Sequence, residues 1–203
     1  MQHILHIDAS YSGERSVSRV LSRDFITAWK KFHPEAAVLY RDLGRFPVPY
    51  INEAWIAATH SSSEIRTPEM IAALEVSNPL LEEFLLVDGY VFGVPMYGFT
   101  IPATLKAYFE HLIRLGRTYE VTKAGVKGLV HGKKALFITS CAGDYSPGST
   151  FGEDHQEPYL RTLFESFGIK DVQFVNAGKL MFKDREQSIS SAQASLQSLA
   201  TQW

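Results

Sequence analysis

Apolar positions along this chain alternate between two rhythms. Short apolar runs at residues 3–7, 37–40, 85–92, 134–139 and 171–176 read as strands. Between them lie longer stretches with helical spacing. Over residues 16–32, Val17, Val20, Leu21, Phe25, Ala28 and Trp29 share one stripe. Residues 52–59 and 64–83 are also helical, the second interrupted at Asn78-Pro79 because proline breaks the hydrogen-bond ladder. Pro102 opens a helix reaching Leu115, residues 155–167 form another that Gly168 ends, and 184–202 form a closing amphipathic helix. Residues 117–132, rich in Gly, Lys and Thr, form a hairpin excursion.

Five strands alternating with helices predict a parallel sheet covered on both faces, an α/β architecture. Right-handed crossovers leave few topologies, and the strand count fits the flavodoxin-like order 2-1-3-4-5. In that order a ligand crevice opens at the carboxyl ends of strands 1 and 3, so the loops after strands 1, 3 and 4 should converge.

Composition narrows the class. A chain of 203 residues with no internal repeat or linker reads as one domain over 1–203, and 45% apolar content supplies a full core. The net charge of −2 argues against nucleic acid or an anionic membrane as partner. Cys141 is the single cysteine, which excludes an internal disulfide and a thiolate metal cluster. The first residues run into a strand without a basic or long apolar leader, and no window reaches membrane-span length, so a cytoplasmic protein is expected.

The loop after strand 3, Val94-Pro95-Met96-Tyr97-Gly98-Phe99, carries most information. It combines a rigid bend, a thioether, two aromatic rings and backbone open to close approach, and is poorly suited to simple chain reversal. Such a loop suits a flat aromatic ligand. After strand 1, hydroxyls recur at Ser10, Ser12, Ser16 and Ser18, the last two opening a helix. Two readings stand there: Ser16 caps the helix, or the helix N-terminus with these hydroxyls and Arg15 or Arg19 holds a phosphate. The loop lacks both GxxxxGK[ST] and GxGxxG. After strand 4, Ser140-Cys141-Ala142-Gly143 offers small residues and amides to a ligand edge. Together the three loops fit a mononucleotide with a planar ring, FMN being the economical choice.

With these residues in place, the chain resembles the FMN-dependent NADH-azoreductases, a branch of the flavodoxin-like NAD(P)H–quinone oxidoreductases. The landmarks are Ser10 with Ser16-Val17-Ser18, the Val94–Phe99 loop, residues 102–109, residues 128–134 and Ser140 to Gly143. The resemblance implies tightly bound FMN, its phosphate on Ser10 and Ser16 to Ser18. It implies that Met96, Tyr97, Gly98 and Phe99 line the isoalloxazine beside Pro95, and that Ser140, Cys141, Ala142 and Gly143 close the pyrimidine side. It implies ping-pong transfer of two electrons from NADH to quinones or azo compounds, a homodimer with sites at the subunit boundary, and a lid near 117–132 carrying Tyr119. Two departures bear on the acceptor: Gly98 stands where the family usually has Asn, and Ala142 where it usually has Gly.

Tyr145 has two readings, a hydrogen-bond donor to the acceptor or a surface turn residue. No side chain need act as nucleophile, since the flavin carries the chemistry. A non-enzymatic flavin carrier is the alternative function, though carriers usually show a strongly acidic face. A loop-serine hydrolase would need a GxSxG elbow, which the chain lacks. The histidines lack metal-ligand spacing, Asp8 has only Glu14 following it, and Trp29, Trp55 and Trp203 read as core or interface anchors.

Overall fold

In a computed structural model describing residues 2–203, the strands are β1 (His3–Asp8), β2 (Ala37–Asp42), β3 (Gly89–Pro95), β4 (Tyr119–Thr122), β5 (Gly125–Gly128), β6 (Lys134–Ser140) and β7 (Asp171–Ala177). β4 and β5 form a separate antiparallel hairpin. The others form one parallel sheet in the order β2-β1-β3-β6-β7. Numbered among themselves, these five strands follow 2-1-3-4-5, as the alternation of elements predicts.

The helices are α1 (Val17–Phe32), α2 (Glu53–Thr59), α3 (Pro68–Leu86), α4 (Ala103–Leu112), α5 (Gln156–Phe167) and α6 (Arg185–Ala200). They cover both faces because strands buried on two sides must shed water on two sides. On one face Leu81 and Phe84 of α3, Leu105 and Phe109 of α4 and Phe164 of α5 pack on Leu5, Phe92 and Phe137. On the other, Phe25 and Trp29 of α1 and Leu196 of α6 pack on Ile4, Val91 and Leu136. Trp203 meets Phe25 and Trp29 edge-on, with ring centroids 5.4 and 6.4 Å away. Each such fully buried aromatic contributes about 2–3 kcal/mol of transfer free energy. Trp29, Trp55 and Trp203 are all core residues.

Three boundaries differ from the sequence expectation. Helix α3 runs unbroken through Pro79 and continues to Leu86, so the third strand starts at Gly89 rather than at residue 85. Proline costs a helix interior about 3 kcal/mol, but tertiary contacts flank it. Leu80, Leu81 and Phe84 are buried, Ser77 Oγ donates to the His111 carbonyl at 3.1 Å, and Arg114 donates to Asn78 Oδ1 at 3.1 Å. Helix α4 stops at Leu112 rather than Leu115. There the Thr118 hydroxyl takes the Leu112 carbonyl at 2.7 Å and turns the chain toward the hairpin.

The hairpin is rooted on the far end of α5. A Cβ at Gly128 would lie 2.0 Å from the Gly168 nitrogen, and the Val130 amide donates to the Phe167 carbonyl at 2.8 Å. Gly168, at φ +96°, ends α5 as expected. Helix α5 begins near the carboxyl ends of the strands, where Gln156 Nε2 donates to the Pro95 carbonyl at 3.0 Å. Its far end, and the hairpin root with it, therefore lies toward the amino ends of the strands. Among the described residues no helix is long and apolar enough to cross a membrane.

Candidate functional site

Register sets the site. Asp8 pairs with Gly93, and Pro95 with Ser140, so β1, β3 and β6 end together and release their loops side by side. A cleft of about 250 Å³ opens there, lined by Ser10, Ser12, Arg15, Ser16, Val17, Pro95, Met96, Tyr97, Ser140, Cys141 and Ala142. The three loops named from sequence thus converge.

The first loop enters α1 through Ser16, whose Oγ accepts the Arg19 amide at 3.4 Å and lies 3.2 Å from Ser18 Oγ. Ser16 therefore caps the helix. The amides of Val17 and Ser18 find no acceptor among the described residues, and the first turn of α1 holds no acidic residue. Donors and the positive end of the helix dipole are left for an anion. Ser10 Oγ accepts the Ser12 amide at 3.2 Å and lies 3.3 Å from the Tyr97 hydroxyl. Arg15 lines the cleft.

Arg19 does not. It is 6% exposed and sits behind the loop, where it grips Asp42 with both terminal nitrogens at 2.5 and 2.8 Å. A guanidinium so paired is spent on the protein itself, which removes it from the candidate anion donors.

The second loop is a tight reversal, contrary to the sequence expectation. The Tyr97 amide donates to the Thr100 carbonyl at 3.0 Å, and the Thr100 amide returns to Tyr97 at 3.2 Å. Gly98 and Phe99 occupy the centre with φ of +56° and +68°, a geometry that leaves both central amides free. Phe99 is a bulky residue in the left-handed region, held there by the His155 amide on its carbonyl at 3.1 Å. Its ring stands half exposed, edge-on to Tyr145 at 6.0 Å. Tyr145 in turn meets Phe151, and Phe151 meets Phe182. Tyr11 stacks on Tyr97 at 5.7 Å, and its hydroxyl accepts the Thr104 amide at 3.2 Å.

The third loop is braced by residues 179–181, whose amides donate to the carbonyls of Gly143, Cys141 and Ala142 at 2.9, 3.2 and 3.1 Å. The amides of Ala142 and Gly143 bond to nothing among the described residues. Burial pushes the Cys141 thiol above its usual range, so it is a poor nucleophile. The Ser146 hydroxyl and amide, with Lys179, hold the Asp144 carboxyl down to about 2. Behind Cys141 and Met96, a second pocket of about 360 Å³ includes Gly143 and Tyr145.

Ser18, Gly98 and Phe99 border these loops without lining the cleft, and Tyr119 lies on the hairpin, away from the cleft of its own chain. Leu180 and Arg185 line the cleft and were not foreseen, since nothing in sequence ties the start of α6 to the other loops. A larger open trough of about 860 Å³, with His3, His131, Lys133 and Lys170, lies at the amino ends of the strands. Lys133 there is committed to the carbonyls of Leu85 and Val87, and no ring-lining loop reaches it.

The donor set fits a phosphorylated planar ligand: free helical amides, hydroxyls and Arg15 at one end, Pro95, Met96 and Tyr97 beside free loop amides at the other. A family model described as flavodoxin-like fold matches residues 2–200. An "FMN-dependent NADH:quinone oxidoreductase" of Nostoc punctiforme is 52% identical over the full length of both chains. An "FMN-dependent NADH:quinone oxidoreductase 2" of Trichormus variabilis is 49% identical, again over both full lengths. The crystal structure of an azoreductase from Bacillus anthracis superposes with a TM-score of 0.93 at 27% identity, covering 100% of each chain.

Proposed function

The chain belongs to the flavodoxin-like family whose model spans residues 2–200, and from that premise we propose that it is an FMN-dependent oxidoreductase carrying two electrons from NADH to a quinone or an azo compound. The observation that carries this reading is one cleft with a helix start of unpaired amides at one end and a thioether-aromatic loop at the other. Bound FMN supplies the hydride chemistry; the chain supplies position, charge and shelter.

In this reading Ser10 and Ser16, through hydroxyls, and Val17 and Ser18, through helical amides, hold the phosphate, with Arg15 adding charge. Pro95, Met96 and Tyr97 line the ring, with Gly98 and Phe99 in the turn beside them. The free amides of Phe99, Ala142 and Gly143 offer donors to its polar edge, where they would favour the negative charge that reduction brings. Ser140 and Cys141 complete that edge. The rings of Phe99 and Tyr145 bound the mouth, where a flat acceptor can stack, and Tyr145 offers it a hydroxyl.

A homodimer is part of the proposal. The hairpin is rooted away from its own cleft and carries Val121 and Val126 exposed, so a second copy would be needed for Tyr119 to meet a site. A cytoplasmic setting completes the reading, consistent with a single thiol and no disulfide.

The test is an anaerobic spectrum of FMN-loaded protein before and after NADH, then after benzoquinone. Bleaching followed by recovery is expected. Flavin that binds and never bleaches with NADH would sink the oxidoreductase reading and leave a carrier.

A further inference from the structure

Behind the helix start lies a polar cluster centred on buried Arg19 and Asp8, which meets the cleft only through Ser10. Arg19 Nη2 donates to the Ser10 carbonyl at 3.0 Å and to Asp42 Oδ1 at 2.8 Å. Its Nη1 donates to Asp42 Oδ2 at 2.5 Å and to the Tyr40 hydroxyl at 2.8 Å. The Tyr40 hydroxyl donates to Asp8 Oδ2 at 2.9 Å, and the other Asp8 oxygen accepts from Ser22 at 2.8 Å. Asp8 is 1% exposed and Ser22 fully buried. Burying an arginine and a carboxylate, with a second carboxylate partly buried beside them, is costly and gives weak net stability. A cluster of this kind in the element that leads into the site calls for a reason beyond stability.

The Ser10 carbonyl supplies one. It is gripped from one side by Arg19 and pressed from the other by the backbone of Gly44, where a Cβ would stand 2.0 Å from that same oxygen. Gly44 is itself tied to the cluster, because the Leu43 amide donates to the Asp8 carbonyl at 2.8 Å and the Arg45 amide to Asp42 Oδ1 at 3.0 Å. The peptide that carries Ser10 is thus clamped in one orientation. That orientation aims the Ser10 hydroxyl into the cleft and sets the turn that reaches Ser12. With two carboxylates around it, the guanidinium adds no net positive field, so its contribution is geometric.

We propose that Arg19 is a positioning residue for the phosphate end of the cleft: through the Ser10 carbonyl, clamped against Gly44, it sets the hydroxyl and amide donors that select a phosphorylated flavin over an unphosphorylated one. This rests on the assignment of Ser10 and Ser16 to Ser18 to the phosphate. Lysine at 19 keeps the charge but cannot reach Asp42, Tyr40 and the Ser10 carbonyl together, since it lacks the planar fork. Gly44→Ala leaves every charge in place and presses chiefly on the Ser10 carbonyl, its Cβ standing 3.3 Å from Arg19 Nη2.

The test is titration of Arg19→Lys and Gly44→Ala proteins with FMN and, separately, with riboflavin, by quenching of flavin fluorescence, alongside thermal unfolding. Both substitutions should raise the Kd for FMN about tenfold or more while leaving that for riboflavin within about twofold. Gly44→Ala removes no member of the ion cluster, so it carries the test if Arg19→Lys fails to fold. A preference for FMN that survives Gly44→Ala in folded protein overturns the clamp, as does equal weakening toward both flavins. A wild-type protein that binds both flavins equally would overturn the phosphate assignment itself, and the clamp with it.

Discussion

The Tyr97 hydroxyl lies 3.3 Å from Ser10 Oγ, joining two loops that are 87 residues apart in the chain. It links the end of the cleft that suits an anion to the end that suits a ring, so each loop's position depends on the other.

The two partners should differ in consequence. Ser10→Ala removes a donor from the anion end and should weaken FMN binding about tenfold. Tyr97→Phe keeps the ring and its stack on Tyr11, and should cost no more than about threefold. Fluorescence titration of both variants checks the order, and an equal loss in the two would contradict it.

Gly98 tests the turn. Nothing lies within 4 Å of a Cβ built there, so space does not restrict the position; its φ of +56° does. Gly98→Val should destabilise by about 1–2 kcal/mol, and Gly98→Asn by less, because Asn tolerates the left-handed region. Urea unfolding of the two proteins reads this directly.

Acid should loosen the cluster around Arg19. Burial works to raise the Asp42 carboxyl, but hydrogen bonds from Arg19 and the Arg45 amide outweigh it and hold the group below the usual carboxylate range. Its folded value is depressed, so its contribution is present above the unfolded value and lost as pH falls through the folded one. Asp42→Asn should therefore cost about 2–3 kcal/mol at pH 7. That difference should shrink as both proteins are acidified below the ordinary carboxylate range, as measured by urea unfolding across pH.

One substitution should stabilise. Tyr108 is fully buried, and its hydroxyl has no partner among the described residues. Tyr108→Phe removes an unpaid desolvation cost and should add about 1 kcal/mol, raising Tm by about 2–4 °C in calorimetry.

Much of this was legible in the chain before folding. Runs that bury both faces read as central strands, and Leu21, Phe25 and Trp29 at helical spacing read as a face packed on them. The loops at Ser10–Ser18, Pro95–Phe99 and Ser140–Gly143 were named by residue type, and the cleft brings them together. The failures share a cause. Pro79 reads as a helix break until Ser77, Asn78 and Leu80 are seen to be held by other elements. Arg19 reads as a phosphate donor until Asp42 is seen beside it. Residues 97–100 read as an open platform until paired backbone hydrogen bonds reveal a turn.

The chain by itself determined the alternation of elements, hence a parallel sheet with two covered faces, and which residue types its carboxyl-end loops carry. Hydrophobic period and turn chemistry are local properties, so the chain carries them wherever no distant contact overrides them. Only the tertiary structure decided which way the charged side chains turn, where the hairpin is rooted, and that Arg185 and Leu180 share a cleft with Ser10. Those outcomes depend on which groups meet across long stretches of chain. A charge answers to whatever opposite charge the fold brings within a few ångströms, and no local pattern records that.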